Sequence, residues 1–181
     1  MCLVFIGIRR HFLDVLGVLC CASADVCIYF VFSDKFALYG FDLATNSEIS
    51  PIYLKYKPSK VICNAGTVLV LFRNEPYIYI AENESVSSGR YINVGAPCAS
   101  AVLAGRSIFA IIGGLVYKID TVTQERTPTS LAATDIAINN DIIYILSQGK
   151  ITAYNTNLLP IGYEIGTVAS GSILFGNGLA F

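Results

Sequence analysis

Short runs of apolar residues alternate with short polar turns along the chain, and this spacing predicts β-strands joined by tight turns. Val, Ile, Tyr and Phe crowd the apolar runs, as expected for strands that are buried on one or both faces. The runs IFAII and LVYKI are separated only by Gly113-Gly114, which is close to an ideal two-residue hairpin. One segment, residues 11–21, has helical spacing, but Gly17 interrupts it and a pair of strands is an equal alternative. The pattern therefore predicts an all-β chain.

The predicted strands belong to a unit of roughly 35 to 40 residues that recurs about four times. The third strand of each unit carries a tyrosine and leads into Asp, Asn or Glu. We expect these tyrosines to occupy the same position in every unit: Tyr39, Tyr79, Tyr117 and Tyr154. Short strands that repeat at this period are typical of β-propellers, in which each unit forms one blade. The sequence thus predicts a propeller of about four to five small blades.

Two turns recur in every unit and support the same alignment. The first turn is rich in Gly, Asn and Asp, which tolerate the positive φ that tight hairpins require. Its copies are Asn64-Ala65-Gly66, Ala104-Gly105-Arg106, Asn139-Asn140-Asp141 and Gly176-Asn177-Gly178. The second turn has its copies at Ser33-Asp34-Lys35, Arg73-Asn74-Glu75-Pro76, Gly113-Gly114 and Ser147-Gln148-Gly149.

The apolar strand residues form the expected core. A propeller accounts for a chain that is 54% hydrophobic and 14% charged, because strands between neighbouring blades are buried on both faces. No window has the length of uninterrupted apolar sequence that a spanning helix needs, so no membrane span is predicted. We expect the core between adjacent blades to include Ile108, Ile111, Val116, Ile142, Ile145 and Ile151.

A single domain is predicted for residues 1–181, and the two ends of the chain leave alternatives open. Residues 22–166 supply about four units, and residues 167–181 supply the first two strands of a fifth. Residues 1–21 could complete that fifth blade with closing strands, since propellers pair strands from both ends of the chain. The alternative is an open fragment of a larger propeller, whose apolar blade edges would associate with another chain.

The N-terminal region also permits a secreted alternative. Arg9-Arg10, an apolar run and Ala22-Ser23-Ala24 follow one another as in a signal segment, although Asp14 interrupts the run. The six cysteines lack the spacing of a disulfide framework, and several lie in strands, where free Cys behaves as a small buried hydrophobe. We therefore expect a reducing, cytoplasmic setting, with secretion as the alternative.

Few residues in this chain could support catalysis. His11 is the only histidine and no cysteine pair has zinc-site spacing, so histidine triads and such metal sites are not expected. Asp42, Asp120 and Asn155 recur at the end of the third strand of a unit, where Asp and Asn accept hydrogen bonds from the amides of the following turn. Their alternative role is to bind a cation. No catalytic residue, cofactor or metal ligand is predicted, and enzyme activity is not expected.

The charges give no sign of nucleic-acid binding, because the formal net charge is -1 and no strongly basic face is evident. Lys55, Lys57 and Lys60 form the one basic cluster. We interpret it as a solvated loop that protects blade edges, with a phosphate-binding patch as the alternative.

The segments VYKIDTVTQE and LYGFDLATNS resemble the third strand and turn of repeats in the YVTN and quinoprotein-like propellers and, more loosely, in WD-repeat proteins. The resemblance covers residues 22–181 at the level of the repeat. It implies a propeller and no particular activity, because propellers host many unrelated functions. The chain has no tryptophan, so the Trp-Asp end of a WD repeat is missing and the hydrogen-bond network of those residues is not implied.

We expect a non-catalytic propeller scaffold that binds a protein partner through its loops. One alternative is a propeller enzyme or ligand sensor with a carboxylate-bound cation in the central channel, and another is a secreted or surface binding protein. The two most polar and irregular loops are the expected partner contacts, and they contain Asn74, Glu75 and Pro76 and Glu82, Asn83 and Glu84.

Overall fold

The structure of the chain is a computed structural model that describes residues 18–24, 27–32, 34–64, 66–167, 175–176 and 179–180. These residues form β-strands joined by turns, with one short 3-10 helix at Asn83–Ser88. Among them, no helix is long and apolar enough to cross a membrane. Of the N-terminal segment considered for closing strands, residues 1–17 lie outside the described residues and residues 18–21 lie in the first strand.

Four antiparallel sheets of four strands each follow one another along the chain. The first contains β1 (Val18–Ala24), β2 (Cys27–Phe32), β3 (Ala37–Asp42) and β4 (Ser47–Tyr53). The second contains β5 (Pro58–Asn64), β6 (Thr67–Phe72), β7 (Tyr77–Glu82) and β8 (Arg90–Asn93). The third contains β9 (Ser100–Ala104), β10 (Ser107–Ile112), β11 (Leu115–Asp120) and β12 (Arg126–Ala132). The fourth contains β13 (Asp135–Asn139), β14 (Ile142–Ser147), β15 (Lys150–Tyr154) and β16 (Pro160–Thr167), and a short hairpin follows with β17 (Phe175–Gly176) and β18 (Leu179–Ala180).

Each four-stranded sheet is one blade of a β-propeller, and its first strand is the innermost. The first strands of consecutive blades (β1, β5, β9 and β13) pack beside one another, whereas the fourth strands β4 and β12 are largely exposed. Among the described residues of these four sheets, no strand of the fourth blade pairs with a strand of the first. The all-β propeller predicted from the repeat is confirmed.

The recurring turns adopt the backbone that their residues predict. In the first turn φ is positive at Gly105 and at both Asn140 and Asp141. In the second turn φ is 59° at Gly113 and 81° at Gly114. Two successive residues with positive φ form the hairpin turn whose twist matches that of the flanking strands. These turns therefore fix the register of the strands on either side.

The predicted tyrosine alignment holds for three of the four blades. On the third strand, the position opposite the fourth residue of the second strand is occupied by Tyr39, Tyr79 and Tyr117. Tyr154 also lies on a third strand, but it is opposite Ile143, the second residue of β14. Thr152 takes the equivalent position instead, opposite Ile145. The expected position was therefore wrong for Tyr154. This tyrosine is the last residue of β15, directly before Asn155, and lies two residues after the position equivalent to the other tyrosines.

Apolar side chains fill the spaces between consecutive blades. Four of the predicted core residues lie there and are at most 2% exposed: Ile108, Ile111, Val116 and Ile145. Ile151 is buried in a smaller cluster with Leu146 on the fourth blade. Ile142 is only half-buried, because it begins β14 directly after the exposed turn Asn140-Asp141. The expectation that Ile142 belongs to the core was therefore wrong.

Candidate interaction surface

The two loops expected to contact a partner lie at opposite ends of the second blade. Residues 74–76 join β6 to β7, whereas Glu82 ends β7 and Asn83 and Glu84 begin the 3-10 helix before β8. Successive connections in an antiparallel sheet alternate between its two ends. The structure therefore does not bring these loops together. One end of the blades carries residues 74–76 and the links between blades, and we call it the linker end. We call the opposite end the hairpin end.

The segment after Glu82 is held against the core of the second blade. The Tyr79 hydroxyl donates a hydrogen bond to the Val86 carbonyl oxygen and accepts one from the Gly89 amide at 3.1 Å. Burial raises the pKa of Tyr79. A Cβ on Gly89 would lie 2.4 Å from the Tyr79 ring, so glycine is needed for this close approach. The side chains of Asn83 and Glu84 lie outside the described part of the chain.

Asp42, Asp120 and Asn155 hold the turns after the third strands, as predicted. Asp42 Oδ1 accepts the amides of Ala44 at 2.8 Å and Thr45 at 3.2 Å. The equivalent Asp120 oxygen accepts two amides at 2.8 Å, and Asn155 Oδ1 accepts two at 2.9 and 3.0 Å. Backbone amide hydrogen bonds lower the pKa of both aspartates. Each carboxylate is thus already engaged within its own turn.

The alternative of a cation site gains no support from the described residues. Among them, no group of three or more His, Cys, Asp or Glu side chains could hold a metal ion. Asp42 and Asp120 lie at the ends of third strands in two different blades. They are therefore not on the first strands, which are the innermost strands of the blades.

A polar cluster lies on the innermost strands of three consecutive blades. Lys60, Ser100 and Asp135 occupy equivalent positions on β5, β9 and β13, each opposite the fifth residue of the second strand of its blade. The Lys60 Nζ donates to Ser100 Oγ at 3.0 Å and lies 3.7 Å from Asp135 Oδ1. The interpretation of Lys60 as part of a solvated loop was therefore wrong. This cluster joins the second, third and fourth blades near the linker end.

The chemistry of this cluster suits a structural contact between blades. The Lys60 side chain is 34% exposed, whereas the Asp135 side chain is 6% exposed, so the carboxylate is the buried member of the ion pair. An ammonium that donates to the Ser100 hydroxyl does not act as a base toward it. The nearby Cys98 thiol donates to the Ser100 carbonyl oxygen, and burial raises the pKa of Cys98 to about 12. That thiol therefore stays protonated and unreactive at neutral pH.

Two exposed aromatic residues lie beside the link between the first and second blades, residues 54–57. Tyr53 precedes this link and is 86% exposed, and Phe36 is 53% exposed. The Phe36 carbonyl oxygen accepts the Leu54 amide at 2.8 Å, which places both aromatic residues at the start of the link.

The same link is anchored to the second blade by further aromatic contacts. The ring of Tyr56 stacks on Tyr77 with centroids 5.1 Å apart, and Tyr77 directly follows the turn of residues 74–76. The Tyr91 hydroxyl accepts the Lys55 amide at 2.7 Å. We define the aromatic surface as Phe36, Tyr53, Tyr56 and Tyr77. One of the two predicted loops thus adjoins this surface.

Sequence reasoning missed the aromatic surface, although a signal was present. Phe36 follows a polar turn and Tyr53 ends a polar, proline-containing strand, where large apolar side chains are not required for packing. Their proximity depends on the pairing of β3 with β4, in which Ala37 is opposite Tyr53. The repeat pattern alone does not reveal that pairing.

Comparison with known proteins supports the fold. No protein-family model and no curated protein match the chain. The β-propeller domain of Cps50 (Swd1) from Myceliophteria thermophila is similar, with a TM-score of 0.65, 14% identity and coverage of 87% of this chain and 57% of that chain. Hsv2 from Kluyveromyces marxianus has a TM-score of 0.64 and 13% identity, covering 90% of this chain and 53% of that chain.

A computationally designed protein, Ika4, is also similar, with a TM-score of 0.55, 8% identity and coverage of 84% of this chain and 94% of that chain. By contrast, the chain spans about half the length of the Hsv2 structures and of the designed Ika8 protein. The natural neighbours are WD-repeat propellers, which agrees with the loose WD-repeat resemblance of the sequence. At these identities the likeness concerns the fold alone.

Proposed function

We propose that this chain is a non-catalytic β-propeller scaffold whose linker end binds a protein partner. The observation that carries this proposal is the exposure of Phe36 and Tyr53, at 53% and 86%, beside a link whose Leu54 is buried and whose Tyr56 packs on the second blade. Tyrosine and other aromatic residues supply much of the binding energy at protein interfaces, because they bury large areas with few rotatable bonds. Water-exposed aromatic residues that contribute little to the core are well suited to this role.

The packing beneath the surface supports a preformed binding site. Phe72 and Tyr79 are buried in the cluster between the first and second blades, and the partly buried Tyr56, Tyr77 and Tyr91 pack against them. A site on a rigid base loses little conformational freedom when it binds, which favours affinity. Residues 74–76 adjoin Tyr77, so the first predicted loop belongs to the same proposed contact.

Two further parts of the expected function remain proposals. Residues 82–84 lie at the hairpin end, so a partner contact there would be a separate one. A cytoplasmic setting also remains a proposal, since it rests only on cysteines whose spacing in the sequence is not that of a disulfide framework.

The double variant Phe36→Ser with Tyr53→Ser should lose the protein partner while the propeller stays folded. Both side chains are exposed, so their removal should change the free energy of unfolding by only about 0.5 kcal/mol. The measurement is quantitative co-purification from the cells that express the chain, comparing tagged wild type with the variant. We expect at least one partner to be depleted about tenfold or more, as for loss of interface anchors.

The matched control is Val122→Ser with Leu159→Ser, which removes two apolar side chains that are each 60% exposed at the hairpin end. This control should retain the partner. Equal retention by both double variants would contradict the proposal, as would equal loss from both.

A further inference from the structure

The aromatic surface lies within a local excess of positive charge. Lys55 and Lys57 are exposed on the 54–57 link, and the exposed Arg73 begins the turn that leads to Tyr77. Among the described residues, neither Lys57 nor Arg73 forms a salt bridge. The formal net charge of the whole chain is -1, so this excess is a property of the region and not of the protein.

The charge of Lys55 is held beside an aromatic ring. Its Nζ lies 5.2 Å from the centroid of the Tyr56 ring, within the range of a cation–π contact. The hydrogen bond to Tyr56 raises the pKa of Lys55. The ammonium therefore remains charged at neutral pH at the edge of the ring stack formed by Tyr56 and Tyr77.

We propose that the aromatic surface and its cations bind an acidic segment of a protein, with apolar or aromatic residues placed between its carboxylates. This inference rests on the proposed scaffold function and names the chemistry of its partner. The carboxylates would pair with Lys55, Lys57 and Arg73, and the apolar side chains would pack on the exposed rings. Opposite charges at the rim give specificity and faster association, while the rings provide buried area.

A protein segment fits this surface better than a phosphate-rich polymer or an anionic bilayer. Asp34 and Glu75 lie in the two turns that border the surface, and the Asp34 carboxylate is 3.5 Å from the Lys35 ammonium. The Glu75 carboxylate at the border, which is not paired in this way among the described residues, repels a continuous array of phosphates, whereas a peptide can place its own carboxylates away from it.

Pairing of a partner strand with the blade edge is a less suitable mode of binding. β4 is the edge strand of the first blade, and Pro51 in its middle has no N–H to donate to a neighbouring strand. Side chains of the aromatic surface, and not the backbone of β4, are therefore the groups available for recognition.

Fluorescence anisotropy with labelled synthetic peptides tests this inference. One probe alternates Asp or Glu with Phe or Leu, and the matched probe carries Asn or Gln in place of every acidic residue. We expect the acidic peptide to bind and its affinity to fall as salt is raised, because exposed charges are screened. The double variant Lys55→Glu with Lys57→Glu should weaken binding about tenfold or more.

The control is Arg90→Glu with Lys150→Glu, which makes the same charge change at exposed positions on β8 and β15 and should leave binding unchanged. Equal binding of both peptides, or no effect of the Lys55 and Lys57 changes, would overturn the inference. Tighter binding of anionic lipid vesicles or single-stranded RNA to the same surface would also overturn it. If peptide binding fails while co-purification still depends on Phe36 and Tyr53, only the acidic chemistry is wrong. If peptide binding fails and co-purification also does not depend on Phe36 and Tyr53, the scaffold proposal itself is overturned.

Discussion

Replacing Phe109 by Ala should lower the free energy of unfolding by about 3 to 5 kcal/mol, as for other buried aromatic residues. Phe109 is 0% exposed and lies on β10 in the cluster between the third and fourth blades. Its neighbours in that cluster include Ile143 and Ile145 from the fourth blade, so the ring joins two sheets that share no hydrogen-bonded strand. The loss would combine buried apolar area with a cavity that the surrounding strands cannot fully close.

Urea unfolding followed by circular dichroism measures this effect. The control is Val122→Ala, since Val122 is 60% exposed on the turn after β11 and should change stability by about 0.5 kcal/mol or less. A loss below about 1 kcal/mol for Phe109→Ala would mean that the third and fourth blades do not pack as described.

Replacing Lys60 by Met should cost about 2 to 3 kcal/mol of unfolding free energy. The change removes the ammonium that faces the buried Asp135 and the donor to Ser100, while it keeps most of the side-chain volume. Because the Lys60 side chain is 34% exposed, water can partly replace it, and the cost should fall below that of breaking a fully buried ion pair.

The matched control for this change is Lys57→Met, which removes an exposed lysine from the same region and should be close to neutral. Adding Asp135→Leu to Lys60→Met should restore part of the stability, because the buried carboxylate that lost its cation is then gone. A Lys60→Met variant as stable as Lys57→Met would show that the cluster does not tie the three blades.

Local sequence chemistry determines much of this fold. Gly113-Gly114 and Asn140-Asp141 carry the positive φ that their residue types favour, and Asp42 accepts the amides of its turn as its position predicts. Each of these features depends on residues only a few positions apart. The period of the repeat could therefore be read from the sequence, and it led to the correct fold.

The features that sequence reasoning missed depend on contacts between distant residues. Lys60 resembled a loop lysine beside Lys55 and Lys57, but the register of β5 against β6 places it on an innermost strand facing Ser100. Tyr154 matched the other tyrosines in its surroundings but not in its pairing.

The candidate surface was predicted only in part for the same reason. Residues 74–76 were identified from their polar, irregular character, whereas Phe36 and Tyr53 were not identified at all. The hydrogen bond between Phe36 and Leu54 joins the turn before β3 to the link after β4, and no local sequence pattern predicts this contact. The alternation of strand direction then separates residues 74–76 from residues 82–84.

Site-specific photo-crosslinking tests the central claim that the linker end of this propeller binds a protein. A benzoylphenylalanine placed at Tyr53 or Phe36 in the full chain should form a covalent adduct with a discrete protein partner on illumination. The same residue placed at Leu159, which is 60% exposed at the hairpin end, serves as the matched position. The account predicts the adduct from positions 53 and 36 and its absence from position 159. An adduct that forms from position 159 and from neither of the other two would contradict it.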